Sequence, residues 1–168
     1  MSYIPKYILK RMVPKDSFFT VDKTGDGKAD CIGFYIINVI SPLAIPAEVP
    51  SDPAELAKLV GVDDLNSVIT VTLDDIDIGF DFNKLELRYE DKSVRFTNLA
   101  DAAGVTIPVG GKVVVIYDYP ESEYPEGMEI VGEHELKIKY SVAGNEGEIG
   151  AKRELTADRK CIPYPPKI

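Results

Sequence analysis

The longest nearly unbroken run of apolar and β-branched residues in this chain lies at 30–43. Its isoleucines and valine are restricted at χ1, so they fit a pleated sheet better than a helix. Pro42 cannot donate a hydrogen bond to a sheet ladder and ends the run. The pattern predicts a central, buried β-strand at 30–43.

Alternation of apolar and polar residues predicts further strands along most of the chain. They fall at 17–21, 67–73, 75–82, 84–90, 93–97, 112–119, 133–142 and 149–155. In 84–90, for example, Leu85 and Leu87 alternate with Glu86 and Arg88. Short strands with turn signals about every ten residues predict an all-β fold, an antiparallel β-sandwich of immunoglobulin-like or jelly-roll-like type.

One short helix is predicted inside a loop of this sandwich. It follows the proline-rich crossover 41–53, with Ser51 or Asp52 as its cap, Pro53 in its first turn and Gly61 at its end. The segment 3–13 has the pattern of either an edge strand or a short helix. The proline-rich tail 161–168 is expected to lie extended over the surface.

A length of 168 residues is typical of one domain, and the pattern predicts a single domain over 1–168. The net charge of −9 would repel a phosphate backbone, so we expect no nucleic acid partner. No apolar run is long enough to cross a membrane, and the beginning of the chain lacks a secretory signal, which predicts a cytoplasmic protein. Cys31 and Cys161 are then either two reduced thiols or a disulfide.

The loop 22–30 places Asp22, Asp26 and Asp30 in the spacing of the first nine positions of an EF-hand calcium loop. Thr24 stands where a second carboxylate or amide usually lies, and Gly33 replaces the bidentate glutamate of the twelfth position. Two interpretations stay open: a solvated hairpin turn, or a weak Ca²⁺ site.

A second acidic cluster consists of Asp74, Asp75, Asp77 and Asp81. Odd spacing would place Asp75, Asp77 and Asp81 on one face of a strand. Paired carboxylates hydrolyse glycosides when they flank a cleft, whereas aspartates on the wet face of a strand keep a protein soluble and its edges unpaired. The sequence leaves an acid/base hydrolase as the less favoured alternative.

His134 is the only histidine of the chain and lies between Glu133 and Glu135. A carboxylate beside an imidazole can orient it as a base or a metal ligand. With no second histidine to complete such a site, we expect His134 to be a partly exposed polar residue at a strand start.

Prolines and tyrosines concentrate in two loop regions and suggest a protein interface, because they offer contact area at low entropic cost. The predicted interface residues are Pro42, Pro46, Pro50, Tyr117, Tyr119 and Tyr124.

Several motifs resemble those of the small β-subunits of C-glycoside deglycosidases. They are an early strand at 17–21 with a turn, the Ile-Gly-Phe strand that leads to Pro42-Leu43, a meander at 85–97 and the sequence Gly-Glu-His-Glu-Leu at 132–136. The insertion 44–65 and the acidic turn at Asp22 depart from that pattern.

The resemblance implies a β-sandwich that packs against a larger, metal-dependent barrel subunit, which carries the catalytic residues. We therefore predict a non-catalytic accessory subunit of an oligomer. It would hold no cofactor of its own apart from weak Ca²⁺, and the partner subunit would hold a divalent metal. The main alternative is a stand-alone ligand- or calcium-binding sandwich.

Overall fold

Among the residues that the computed structural model describes, 6–48, 50, 53–142 and 144–167, two β-sheets pack face to face and two further strands form a separate ribbon. The strands are β1 (Phe19–Asp22), β2 (Cys31–Ile37), β3 (Leu43–Ala44), β4 (Ile69–Leu73), β5 (Ile76–Asp77), β6 (Leu85–Tyr89), β7 (Lys92–Val94), β8 (Thr106–Ile107), β9 (Lys112–Asp118), β10 (Gly132–Val142), β11 (Asn145–Leu155) and β12 (Ile162–Pro163). The all-β, sandwich-like fold class is confirmed.

The larger sheet has the strand order β12-β1-β2-β9-β6-β7, and the smaller sheet has the order β11-β10-β4-β5. Strands β3 and β8 form the ribbon. Only β1 and β12 run parallel among the described pairs, and the others are antiparallel. The predicted sandwich is therefore mixed at one edge of its larger sheet.

The predicted central strand is β2, which lies between β1 and β9. It ends at Ile37 instead of continuing to residue 43. The side-chain amide of Asn38 donates to the carbonyl oxygens of Ser41 at 2.7 Å and Ile107 at 3.0 Å, and so holds the chain in a bend. The second half of the apolar run then enters the ribbon instead of the sheet.

Apolar side chains from both sheets meet between them. The cluster consists of Phe18, Ile32, Leu73, Tyr117, Tyr119, Ile130 and Leu155. On the outer face of the larger sheet, Phe19, Val21, Cys31 and Ile116 form a second cluster that is fully buried, with Ile162 packed against it. Because β2 is covered on both faces, its sequence reads as a continuous apolar run.

Within the described residues, two α-helices and several short 3₁₀ turns lie before and between the strands. The helix α2 (Pro53–Val60) is the predicted insertion, and its predicted caps Ser51 and Asp52 lie outside the described residues. The helix α1 (Lys6–Met12) resolves the alternative at 3–13. The 3₁₀ turns are Leu65–Val68, Phe82–Lys84, Phe96–Ala102, Glu121–Glu123 and Ala157–Arg159. In the part of the chain that the structure describes, neither α-helix has the length and apolar character needed to span a membrane.

The tail is an integral part of the larger sheet. Val21 pairs with Ile162, and the Cys161 N–H donates to the Thr20 hydroxyl at 2.8 Å. The tail thus covers the outer face of the sheet near β1, which places Tyr164 above that face.

Candidate cation site

The hairpin loop between β1 and β2 is organised around the carboxylate of Asp22. Its Oδ1 accepts from the N–H groups of Thr24 at 3.0 Å and Gly25 at 2.8 Å, and its Oδ2 accepts from Gly27 N–H at 2.8 Å. Gly25 and Gly27 both have φ near +80°, a conformation that L side chains rarely adopt. The glycines therefore let the backbone wrap around the first carboxylate of the loop.

These hydrogen bonds also keep Asp22 ionised. Desolvation acts to raise its pKa, but the N–H groups of Gly27, Gly25 and Thr24 outweigh desolvation and hold the pKa of Asp22 below its ordinary value. At neutral pH the loop therefore presents this residue as a carboxylate.

The loop brings together the three predicted ligands. One carboxylate oxygen from each of Asp22, Asp26 and Asp30 can be chosen so that all three lie within 4.8 Å of one another. Asp26 Oδ1 accepts from Lys28 N–H at 2.9 Å, and Asp30 Oδ2 accepts from Lys23 N–H at 2.8 Å. None of the three carboxylates forms an ion pair within the described part of the chain.

The twelfth position of an EF-hand has no counterpart here for a structural reason. Strand β2 begins at Cys31, so Asp30 is the last residue of the loop, and Gly33 lies inside the sheet opposite Phe19. Any cation in this loop would be held by the first nine positions alone. Carboxylate oxygens at this separation suit hard cations such as Ca²⁺.

The second acidic cluster does not form the shared face that its spacing suggested, and that prediction is wrong. Asp74 and Asp75 have φ values of 52° and 66° and make the two-residue turn between β4 and β5. Strand β5 covers only Ile76–Asp77, so the alternation stops before Asp81. Two consecutive residues in the left-handed region reverse the direction of the chain, so their side chains do not alternate between two faces as they do along a strand.

Each carboxylate of this second cluster has its own structural contact. Asp75 pairs with Lys137 at 3.1 Å, Asp77 accepts from Gly79 N–H at 2.8 Å, and Asp81 caps a 3₁₀ turn by accepting from Asn83 N–H at 2.9 Å. These contacts indicate that the three aspartates stabilise turns and the cap of a 3₁₀ turn.

His134 is buried, with 7% of its surface exposed, so the prediction of partial exposure is wrong. Its Nδ1 lies 2.5 Å from Asp74 Oδ2, and its Nε2 lies 2.8 Å from the carbonyl oxygen of Ile130. Because a carbonyl oxygen only accepts, Nε2 carries a proton and donates it there. With both nitrogens engaged, His134 joins the β4–β5 turn to β10.

The prediction that the tyrosines form a contact surface is also wrong. Tyr117 and Tyr119 are only 5% and 7% exposed, and Tyr117 stacks on Phe80 with ring centroids 5.3 Å apart. Tyr124 is partly buried, and its hydroxyl has no hydrogen-bond partner among the described residues. Tyr117 lies in β9 and Tyr119 follows directly after it, and both are in the core because β9 is covered on both faces, which aromatic content alone does not reveal.

The prolines behave differently from the tyrosines. Pro42 and Pro46 are exposed, and Pro50 is partly buried. Near Pro42, the ribbon and its flanks expose Ile40, Leu43 and Val109, each with more than half of its surface accessible: 60%, 57% and 55%. We call Ile40, Pro42, Leu43 and Val109 the ribbon surface.

A buried charge network on the outer face of the larger sheet was not anticipated from the sequence. Glu86 is fully buried, and its carboxylate meets Arg88 at 3.1 Å and Arg95 at 3.2 Å. The hydroxyls of Ser93 and Tyr164 both donate to Oε2 at 2.8 Å. Alternation in 84–90 predicts that Glu86 and Leu85 point to opposite faces of the strand. Nothing in this pattern indicates that the C-terminal tail covers the face with Glu86.

The same network continues to the candidate loop through Asp118. Arg95 lies 3.4 Å from Asp118, which also accepts from Lys23 at 3.1 Å and from the Cys31 thiol at 3.2 Å. Burial, together with the bond to Asp118, raises the pKa of Cys31 to about 12. Cys31 and Cys161 are both free thiols, and Cys31 is buried in the core.

Comparison with protein-family models finds no match to this chain, and comparison with curated protein sequences finds none either. The resemblance to C-glycoside deglycosidase β-subunits therefore stays a prediction.

Proposed function

We propose that this protein is a β-sandwich binding module whose β1–β2 loop binds Ca²⁺. The observation that carries the proposal is the convergence of Asp22, Asp26 and Asp30, whose oxygens lie within 4.8 Å of one another. This interpretation corresponds to the calcium-binding alternative derived from the spacing of the loop.

Electrostatics favours a cation at this point. Two unit charges about 5 Å apart repel by about 1 kcal/mol in water and by about 3 to 4 kcal/mol at an effective dielectric constant of about 20. The carboxylates of Asp22, Asp26 and Asp30 repel one another. Among the described residues no basic side chain forms an ion pair with them, because the nearby Lys23 pairs with Asp118 instead. A divalent cation would convert the repulsion into attraction.

Calcium suits the loop better than magnesium. Ca²⁺ accepts six to eight oxygen ligands in variable geometry, including backbone carbonyls and water, whereas Mg²⁺ requires a nearly ideal octahedron. A loop that supplies three carboxylates and leaves the remaining positions to carbonyl oxygens and water meets the less strict requirement. Because Thr24 and Gly33 replace two strong ligands, we expect a Kd of about 10⁻⁴ to 10⁻³ M.

Calorimetric titration with CaCl₂ is expected to show one site per chain, and Asp26→Asn is expected to weaken it by about 10-fold or more. The amide oxygen of this variant can still accept from Lys28 N–H, so the loop keeps its shape while it loses charge. The matched control is Asp91→Asn, which removes one exposed carboxylate in another turn and should leave the affinity unchanged. Absence of saturable binding, or equal weakening by both variants, would contradict the site.

A second candidate function is the accessory subunit that the resemblance implies, and the ribbon surface favours it. Ile40, Leu43 and Val109 are large apolar residues that stay exposed beside Pro42, and such patches on a folded chain are typical of protein contacts. The proposed occupant is the larger, metal-dependent barrel subunit.

If the ribbon surface binds that subunit, the tagged chain should purify from its native extract in a stoichiometric complex with one metal-dependent barrel protein. Leu43→Glu should abolish the complex, because it places a charge in an apolar contact. Ile76→Glu is the control, since Ile76 is also exposed but lies in the smaller sheet. A monomer in sedimentation, or a complex that survives Leu43→Glu, would remove this candidate.

A further inference from the structure

The smaller sheet ends in one long strand with a free edge. Strand β11 has eleven residues and, in the part of the chain that the structure describes, pairs with β10 alone. The other outer strands of the two main sheets are β5, β7 and β12, which have two or three residues each. Short outer strands protect a protein from pairing with other chains, whereas a long one offers a row of free N–H and C=O groups. Strand β11 is therefore the edge at which this fold can accept another strand.

The hydrogen bonds of β10 establish which backbone groups of β11 point outward. The carbonyl oxygen of Glu135 accepts from Asp74 N–H at 2.8 Å, so Glu135 bonds toward the side of β4. Successive residues of an antiparallel strand bond in opposite directions, so Leu136 bonds toward β11, where its partner is Ala151. The odd-numbered residues of β11 thus bond to β10, and the even-numbered residues of 146–154 direct their N–H and C=O groups to the free edge.

These outward backbone groups are nearly unpartnered among the described residues. The one hydrogen bond that reaches them runs from Arg153 Nη1 to the carbonyl oxygen of Lys152, which keeps a second lone pair. The even-numbered residues of 146–154 are all exposed, and Glu148 pairs with Lys139 at 3.9 Å on the outer face of the sheet. The edge of β11 is thus open to a further strand ladder.

The odd-numbered side chains of β11 face the interior of the sandwich. Two cavities of about 150 and 170 Å³ lie between the sheets, and Ile149, Ala151 and Arg153 line the smaller one. Ile149 is only partly buried there. An apolar side chain at the same position of an added strand would complete its burial.

We propose that a second copy of this chain occupies the edge, with β11 pairing antiparallel to β11 about a two-fold axis at Ile149. In this register Glu146 lies opposite Lys152 of the second copy, and by symmetry the pair forms twice. Glu148 lies opposite Gly150, and Ile149 lies opposite its own copy. Both members of each even-numbered pair direct their backbone groups to the edge, so they can exchange two hydrogen bonds.

The charges select this register over its neighbours. If the axis moved by one residue to Gly150, Glu146 would lie opposite Glu154, and if it moved to Glu148, that carboxylate would lie opposite its own copy. Opposite charges across two strands stabilise the pairing, and like charges directly opposite destabilise it. One strand thus supplies both halves of a complementary charge pattern, which favours a second copy over an unrelated strand.

Sedimentation velocity of the purified chain, produced alone and kept in EDTA, tests this proposal separately from calcium binding and from the barrel subunit. The buffer should contain about 0.15 M NaCl, because the net charge of −9 on each copy causes a long-range repulsion that salt screens. We expect a dimer whose fraction rises with protein concentration. A monomer at every concentration up to the solubility limit would overturn the proposal.

Charge exchange tests the register. Lys152→Glu and Glu146→Lys should each weaken dimerisation about 10-fold or more, because each places two like-charge pairs across the interface. The double variant should recover the affinity, since it exchanges the two charges of each pair. Lys92→Glu is the control, because it makes the same change on β7, an outer strand of the larger sheet. Equal weakening by Lys92→Glu, or a double variant that stays monomeric, would overturn the pairing.

Amide hydrogen exchange detects the new ladder without any substitution. The N–H groups of Glu148, Gly150 and Lys152 should exchange about 10-fold more slowly or less as the dimer fraction rises, because they gain partners. Those of Ile149 and Ala151 already bond to β10 and should change by a smaller factor. An equal or larger change at Ile149 and Ala151 would contradict pairing through this edge.

Discussion

Replacement of Glu86 by alanine is expected to lower the free energy of unfolding by about 3 kcal/mol. Glu86 is fully buried and forms ion pairs with two guanidinium groups, those of Arg88 and Arg95, which would be left without their shared partner. Removal of one member of a buried ion pair costs about 3 to 5 kcal/mol, and the partial exposure of both arginines points to the lower end. Urea denaturation followed by circular dichroism measures the effect.

The control for this variant is Glu133→Ala, which removes an exposed glutamate from β10 and should change the stability by less than about 0.5 kcal/mol. A loss in Glu86→Ala that is no larger than the loss in Glu133→Ala would mean that the buried network does not hold the tail to the sheet.

The same network gives the protein a defined dependence on acid. Desolvation acts to raise the pKa of Glu86, but hydrogen bonds from Tyr164, Ser93 and Arg88 outweigh it and hold the pKa below the ordinary value of 4.5. A carboxylate with a depressed pKa in the folded state contributes stability that is fully present above the unfolded value. That contribution is lost as the pH falls from about 4.5 through the folded pKa. As the pH falls through this range, the free energy of unfolding of Glu86→Ala should therefore decrease less steeply than that of the unsubstituted protein.

Replacement of Gly33 by alanine is expected to cost about 3 kcal/mol, at the upper end of what added volume costs in a packed core. A Cβ at this position would lie 2.5 Å from Cζ of Phe19 and 2.9 Å from the carbonyl oxygen of Val115. Phe19 is fully buried, and the carbonyl belongs to the β2–β9 ladder, so neither neighbour can move freely. Urea denaturation followed by circular dichroism again measures the effect, as a lower urea concentration at the midpoint of unfolding.

Gly150→Ala is the matched control, since Gly150 also lies within a strand and a Cβ there would come no closer than 3.5 Å to its neighbours. Combining Gly33→Ala with Phe19→Leu should recover at least about 1 kcal/mol of the loss, because the two side chains compete for one space. Equal costs for the two glycine variants would contradict the close packing of Phe19 on Gly33.

Sequence patterns predicted those elements whose formation depends on residues close together in the chain. Alternation predicted the longer strands, but it predicted neither the short strands β3, β8 and β12 nor the early end of β5. The helix after the proline-rich segment was located because turn and cap residues act on their own neighbourhood. The convergence of Asp22, Asp26 and Asp30 was anticipated for the same reason, since nine consecutive residues form the whole loop.

Predictions that depended on distant parts of the chain were less successful. Tyr117 and Tyr119 were expected at a surface, yet they lie between the sheets. Asp75, Asp77 and Asp81 were expected on one strand face, but the strand is too short to hold them. In both cases the residue type was compatible with either environment, and only the neighbours in space decided between them.

The sequence by itself determined that this chain forms short antiparallel strands around a buried β2, and that its acidic loop gathers three carboxylates. Both follow from backbone preferences within a few residues. Only the tertiary structure decided which faces are covered. Glu86 becomes a buried ion-pair centre because Tyr164, 78 residues later, closes over it. The two cavities between the sheets exist because the sheets meet without filling the space between them, and no local pattern encodes that separation.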